Sequence, residues 1–395
     1  MTALLARDPR APLDGDLVAI ASTRRRASTD WILVGSAFAL ACVGALLVWS
    51  ATRSEQLGAH LDPQAYLYRH LLNMAIGGVL LGLAARVDAR LLRLLGPIVY
   101  AMSLLGLAAV FVVGSTVNGA HAWIVVGGGF ELQPAEFMKL GLILGMAVMF
   151  AQRGAERQTI QPTSSDVLIA VALIAVPLGM IMLQPDLGSA MVLCTAALGV
   201  LIAADVPARW TVGLISAGVA GVIFAVRMGV LAHYQLARFA AFTHPNVDRQ
   251  GVAYNITQAH IAVANGGWFG TGLFHGPQTN GAFVPEQQTD FVFSVAGEEL
   301  GFIGSIAIIG LFAVVCWRGL RIARRADRAG RLVAAGIVSW FAFQAFQNIG
   351  MNLGLTPVTG LPLPFVSYGG SSMFAEGIAV GLLVAIGRRP ARTDR

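Results

Sequence analysis

The sequence predicts an all-α, polytopic membrane protein of ten transmembrane helices, with one large outer segment between the seventh and the eighth. Three observations carry that prediction. Of the 395 residues, 56% are hydrophobic, too large a share for a single soluble core. The apolar residues gather in runs long enough to cross a hydrocarbon layer of about 30 Å at about 1.5 Å per residue. The basic residues that flank those runs fall on alternate loops, which fixes an orientation.

The runs cover 31–51, 69–86, 94–113, 134–151, 167–183, 186–204, 210–228, 294–317, 332–353 and 371–387. With the N-terminus in the cytoplasm, 21 of the 27 Lys and Arg residues lie on the inner side. Both termini are then cytoplasmic. The chain divides into a basic tail at 1–29, a membrane domain at 30–388 and a short tail at 389–395. Arg24, Arg25 and Arg26 precede a run that is long enough to span and has no cleavage site after it, so it is expected to remain as an anchor. The net charge of +6 follows from this topology, and no basic patch interleaved with aromatics points to nucleic acid. Cys42, Cys194 and Cys316, all inside apolar runs, form neither a disulfide framework nor a metal-ligand spacing.

The fourth and sixth runs begin alike, with Gln133-Pro134-Ala135-Glu136 and Gln184-Pro185-Asp186. Proline in a first turn followed by an acid is a good local helix start. Lys139 is the sole lysine of the chain. It shares a helix face with Glu136, three residues earlier, and the two are expected to pair near the outer surface.

Residues 229–293 form the outer segment. Leu236, Phe239 and Phe242 have helical spacing, and 253–265 reads as a second short helix that ends at Gly266-Gly267. The glycine-rich stretch 265–272 lacks the preceding strand that a nucleotide loop requires, so it reads as a turn. Arg238 and Arg249 face either a diphosphate or lipid headgroups.

Residues 285–301 place Glu286, Asp290, Glu298 and Glu299 at the mouth of the eighth run, in a chain where only 12% of residues are charged. Such an acid either caps the following helix, through Thr289 or Asp290, or serves as a base held at the membrane edge. After the ninth run, Pro357, Pro362 and Pro364 forbid a regular helix, while the leucines and valines among them make a water-exposed loop costly. Irregular backbone of that kind is tolerated around an enclosed cavity, where Ser367, Tyr368, Ser371 and Ser372 supply hydrogen bonds.

Taken together, these motifs resemble the SEDS family (shape, elongation, division and sporulation). The likeness covers nearly all of the chain after its tail. It rests on Asn118-Gly119 to Trp123, Gln133 to Glu136 with Lys139, Gln184 to Gly188, Tyr254-Asn255 with Gln258, Pro285-Glu286 with 289–293, Glu298 to Gly301, and 347–372. The wording of the last motif is more similar to the elongation branch, RodA, than to the division branch, FtsW. Two departures stand out: Ala122 occupies a position where the family usually has arginine, and Ala135 replaces its usual serine.

The resemblance implies a glycosyltransferase of the bacterial cytoplasmic membrane that polymerises lipid II into glycan strands and releases undecaprenyl diphosphate. It implies Asp290 as the catalytic carboxylate, with Glu136, Lys139, Asp186, Arg238, Gln258, Ser367 and Ser371 around the substrate. It further implies a class B penicillin-binding transpeptidase as partner and admits a divalent cation such as Mg or Mn, with no resident metal site. His121, Lys139 or Arg238 must cover the role of the absent arginine. The rival classes are a transporter that flips the same lipid, which needs polar groups at mid-depth and on both faces, and a scaffold, which needs neither Asp290 nor Lys139.

Overall fold

The structure, a computed structural model, describes residues 29–117, 120–127, 130–159, 161–228, 238 and 252–388. Asn118-Gly119, Arg249 and the helix expected around 234–242, apart from Arg238, lie outside the described residues.

Thirteen helices and three short strands follow one another in the described chain. Helices α1 (Trp31–Gly58), α2 (Ala65–Ala84) and α3 (Ala89–Val113) come first. Strands β1 (Ser115–Val117), β2 (Ala120–Gly127) and β3 (Phe130–Leu132) are followed by α4 (Pro134–Arg157), α5 (Ser164–Leu183), α6 (Leu187–Ala203) and α7 (Ala208–Arg227). The outer segment holds α8 (Val252–Gly266) and α9 (Pro277–Asn280). The chain then runs through α10 (Val292–Glu299), α11 (Gly301–Arg325), α12 (Arg328–Asn352) and α13 (Gly370–Gly387).

Eight of these helices are long and apolar enough to cross a membrane, and α6 and the 208–224 part of α7 are shorter apolar helices. Every expected run is therefore a helix, and the chain is a membrane protein. Local chemistry explains the starts. Pro134 opens α4 with Glu136 in its first turn, Thr163 and Asp166 form a capping box on α5, and the Asp186 carboxylate caps α6 by accepting from the Ser189 N–H.

Two features depart from ten uninterrupted helices. The small antiparallel sheet β1-β2-β3 is an addition to the all-α reading. A signal for it existed: Asn118-Gly119 between short β-prone stretches is a strong hairpin cue. The eighth run is also broken at Gly301, where φ is +69° and an added Cβ would lie 2.2 Å from the backbone nitrogen of Gly270. The turn at 266–272 packs against that break, with Phe302 N–H donating to Gly267 O and Thr271 N–H to Glu298 O.

Helices α4, α12 and α13 form the centre and are buried along most of their length. In a bilayer, close packing of small residues replaces much of the hydrophobic drive. Gly377 and Gly381 on α13 are an example: a Cβ on either would sit 2.4 Å from a carbonyl oxygen of α2, that of Gly77 or Leu81. At one end of the bundle, ion pairs tie the loops: Asp30 with Arg318 at 2.6 Å, Asp166 with Arg153 and Arg157, and Asp205 with Arg331. At the other end β2, β3, α2, the turn before α10 and the loop that leads into α13 surround a polar pocket.

Candidate active site

The pocket has a volume of about 440 Å³ and is assembled from segments far apart in sequence. Tyr66, Arg69 and Asn73, spaced by three and four residues along α2, form one wall, and Trp123, Glu131 and Gln133 form a second. Asp186 and Arg238 enter between them. Glu286, Gln288 to Asp290, Thr359, Gly360, Pro362 and 368–372 complete the enclosure.

Asp290 is placed by its backbone. Glu286 has a left-handed φ of +53°, and its carbonyl accepts the N–H groups of Thr289, Asp290 and Phe291 at 3.1, 3.1 and 3.3 Å. The Asp290 carbonyl takes the side-chain amides of Asn348 at 2.9 Å and Asn352 at 3.1 Å, both from α12. The capping role is excluded: the cap of α10 is Phe291, with no side-chain hydrogen bond. The carboxyl group instead faces the pocket. An added Cβ on Gly360, which has φ +72°, would lie 3.4 Å from both Asp290 Oδ2 and an Arg238 nitrogen, so this glycine lets the acid and the guanidinium approach. Burial pushes the Asp290 carboxyl up to about 7; Arg238 opposes that rise, while Glu286 and Asp186 add to it.

The other expected site residues divide into two groups. Asp186 and Ser371 line the pocket with Arg238. Asp186 accepts from the Gln133 side-chain amide at 2.9 Å, and the Ser371 hydroxyl accepts from Gln133 N–H and donates to Glu131 O, which locks the start of α4 to the start of α13. Glu136, Lys139, Gln258 and Ser367 do not line it. Glu136 and Lys139 form the expected ion pair at 2.6 Å, but it is enclosed in the bundle and not at the surface. Lys139 also donates to Gln344 at 3.1 Å and stands over the Trp340 ring at 4.5 Å. Gln258 is half-buried on α8. Ser367 is buried beneath the pocket floor, where its hydroxyl donates to Thr289 O and accepts from Leu363 N–H.

The candidates for the missing arginine's role sort the same way. Ala122 is 1% exposed and does not line the pocket, whereas the adjacent Trp123 does; the pairing with β1 skips position 122, where the strand bulges. His121, also on β2, shares a hydrogen bond with Thr116 of β1 at 3.1 Å and does not line the pocket. Arg69 does line the pocket and bonds the Tyr368 hydroxyl. Sequence reasoning passed over Arg69, although it is one of the few basic residues outside the inner-side set and lies one turn from Tyr66.

Beside the polar pocket runs an apolar groove of about 600 Å³ between α2, α3, α4 and α13. It reaches Leu132 and Pro134, the immediate neighbours of Gln133.

Fold and pocket together define a polytopic membrane protein with a charged cavity at one end of its bundle and an apolar groove leading to it. The chain belongs to the FtsW/RodA/SpoVE family of cell cycle proteins, whose model matches residues 30–391. It is 37% identical over 365 residues to the probable peptidoglycan glycosyltransferase FtsW of Trichlorobacter lovleyi, covering 92% of this chain and 94% of that one. It is 35% identical over 369 residues to the stage V sporulation protein E of Bacillus subtilis, covering 93% and 99%. Among solved structures, a chain from a peptidoglycan synthase complex matches with a TM-score of 0.75 and 31% identity, over 91% of this chain and 98% of that one. The rod shape determining protein RodA of Thermus thermophilus matches with a TM-score of 0.67 and 30% identity, over 93% and 99%. FtsW names dominate among the relatives, so the leaning towards the elongation branch drawn from 347–372 is not supported. The chain is a peptidoglycan glycosyltransferase of this family.

Proposed function

We propose that this glycosyltransferase polymerises lipid II at the pocket, on the outer face of the cytoplasmic membrane, with Asp290 as general base. The observation that carries the proposal is the Asp290 carboxyl facing the cavity, held near neutrality by burial and set across Gly360 from Arg238. A sugar 4-hydroxyl is a poor nucleophile until a positioned group accepts its proton, and a base poised near the working pH suits that task. The hydroxyl oxygen attacks the anomeric carbon of the growing strand, its proton passes to Asp290, and the bond to undecaprenyl diphosphate breaks with inversion. Arg238 and Arg69 are the cations at hand for the departing diphosphate. Lys139, enclosed in the bundle, is not. The groove beside Gln133 suits an isoprenoid tail, since its lining is almost wholly apolar.

Glu131, Asp186, Glu286 and Asp290 outnumber the two arginines, so a diphosphate meets an acidic wall. Among the described residues no group of three or more His, Cys, Asp or Glu is placed to hold a metal. A divalent cation such as Mg or Mn carried by the diphosphate would offset that acidic wall. The arginine-rich end of the bundle supports cytoplasmic termini, and the division into tails and one membrane domain follows. A class B penicillin-binding transpeptidase is the natural partner; a chain of similar fold comes from a complex that coordinates polymerization and crosslinking.

The test is a polymerisation assay on the purified full-length chain with lipid II, divalent cation and the partner transpeptidase. Long glycan strands from wild type and none from Asp290→Asn are expected. A wild type that binds lipid II yet makes no polymer would favour a flippase.

A further inference from the structure

Glu376 belongs to none of the motifs read from the sequence and does not line the pocket. It lies about two turns into α13 and is 1% exposed. A carboxyl group inside a membrane-spanning helix is costly and persists where specific partners hold it. Its Oε2 accepts the N–H of Phe365 at 2.7 Å, its Oε1 has no hydrogen-bond partner, and Glu136 and Lys139 lie within electrostatic reach.

Phe365 is a residue in need of a holder. It follows Pro364 and has a left-handed φ of +64°, a conformation that a bulky side chain adopts only when its surroundings impose it. Its ring is fixed edge-on against Phe341, at 5.2 Å between centroids, and its N–H is fixed by Glu376. From there the chain passes directly under the pocket. Ser367 donates to the carbonyl of Thr289, and Tyr368 N–H donates to the carbonyl of Gln288 at 2.8 Å. These are the two residues before Asp290.

We propose that Glu376 is a positioning residue for Asp290: by accepting the Phe365 N–H it holds the turn at 361–368, and through Ser367 and Tyr368 that turn sets the backbone of 288–290. The inference rests on the reading of Asp290 as base. The bland alternative is a glutamate that only stabilises the bundle, and the two differ in what they do to the pH dependence. Asp290 faces Arg238, Glu286 and Asp186, with Arg69 and Glu131 on the opposite walls, and its carboxyl is raised chiefly by burial. A loosened floor admits water and lowers it again.

Initial rates of the purified chain, with its transpeptidase partner and lipid II, from about pH 5.5 to 9 read this directly. Glu376→Leu should lower kcat about tenfold or more with KM changed less than about threefold, and should move the acidic limb of the kcat profile to lower pH. Glu376→Gln, whose amide oxygen accepts the same N–H, should keep the wild-type rate and limb. Hydrogen exchange of 284–291 should quicken in the leucine variant and not in the glutamine variant. Unchanged exchange in a folded Glu376→Leu, a lost rate with an unmoved limb, or a Glu376→Gln as impaired as the leucine variant overturns the proposal. If the leucine variant does not fold, Ser367→Ala cuts the same path one link later. It must quicken exchange at 284–291 and shift the limb, and wild-type behaviour there overturns the proposal too. Absence of polymer from wild type breaks the polymerase reading instead, and the exchange measurement still decides the role of Glu376.

Discussion

Two carboxylates that the sequence sets at the mouths of apolar runs, Glu136 and Asp290, end up in opposite circumstances. Glu136 is closed in on every side, 2% exposed, with Lys139 at 2.6 Å and Gln344 and Trp340 holding that lysine in turn. Asp290 opens onto a cavity whose walls carry both signs of charge. A charge enclosed by protein has only protein to answer to, so it holds structure. A charge open to a cavity can exchange its proton with whatever enters.

The sharpest way to break that contrast is to neutralise each acid or its partner. Asp290→Asn is expected to cut glycan polymerisation by about 10²–10⁴-fold, the span of general-base catalysis, while the protein remains folded. The fold should tolerate it because the raised carboxyl is disfavoured in its charged form: its folded value of about 7 lies above its ordinary value, so stability falls as pH rises through that window and the amide escapes the loss. By the same sign the wild-type rate should fall as pH drops below about 7, where the base becomes protonated. An acidic limb near the ordinary carboxylate range would remove Asp290 from the role.

Next in size is Lys139→Met, which leaves Glu136 buried without its cation and should cost about 3–5 kcal/mol of stability, read by thermal or denaturant unfolding. Adding Glu136→Gln should recover most of that loss. A double variant as unstable as the sum of the singles would show that the pair is not coupled. If Lys139 instead contacts substrate, Lys139→Met will lower kcat at unchanged stability, and the contrast with Asp290 fails.

A smaller effect is expected for Asp186→Ala, which removes the α6 cap and should cost about 1 kcal/mol. Because Asp186 also fixes Gln133 at the pocket wall, KM should rise in the same variant. Smallest is Arg331→Ala at the opposite end of the bundle, where the partially exposed pair with Asp205 contributes about 0–1 kcal/mol and should leave polymerisation untouched. A marked loss of activity there would mean that the two ends are coupled.

What the sequence determined by itself was everything that depends on runs and neighbours. The apolar runs became helices because an unpaired backbone in lipid is so costly that a run of that length has no other option. Proline and acid placed the starts of α4 and α6, and i to i+3 spacing paired Glu136 with Lys139, since these are interactions within one turn. The setting at the mouth of an apolar run marked Glu286, Asp290, Glu298 and Glu299 alike, and the resemblance of the motifs gave both the family and the choice of Asp290 among them. Only the tertiary structure decided depth and direction. Nothing local says that α12 supplies Gln344 and Trp340 to enclose Lys139, or that Asn348 and Asn352 reach the Asp290 carbonyl. Nothing local says that Arg69 meets Tyr368 across the pocket. The bulge in β2 left position 122 buried outside the pocket lining, and α13 brought Glu376 beneath Phe365. Burial and hydrogen bonding between elements are properties of how helices pack, and packing joins residues that the chain keeps hundreds of positions apart.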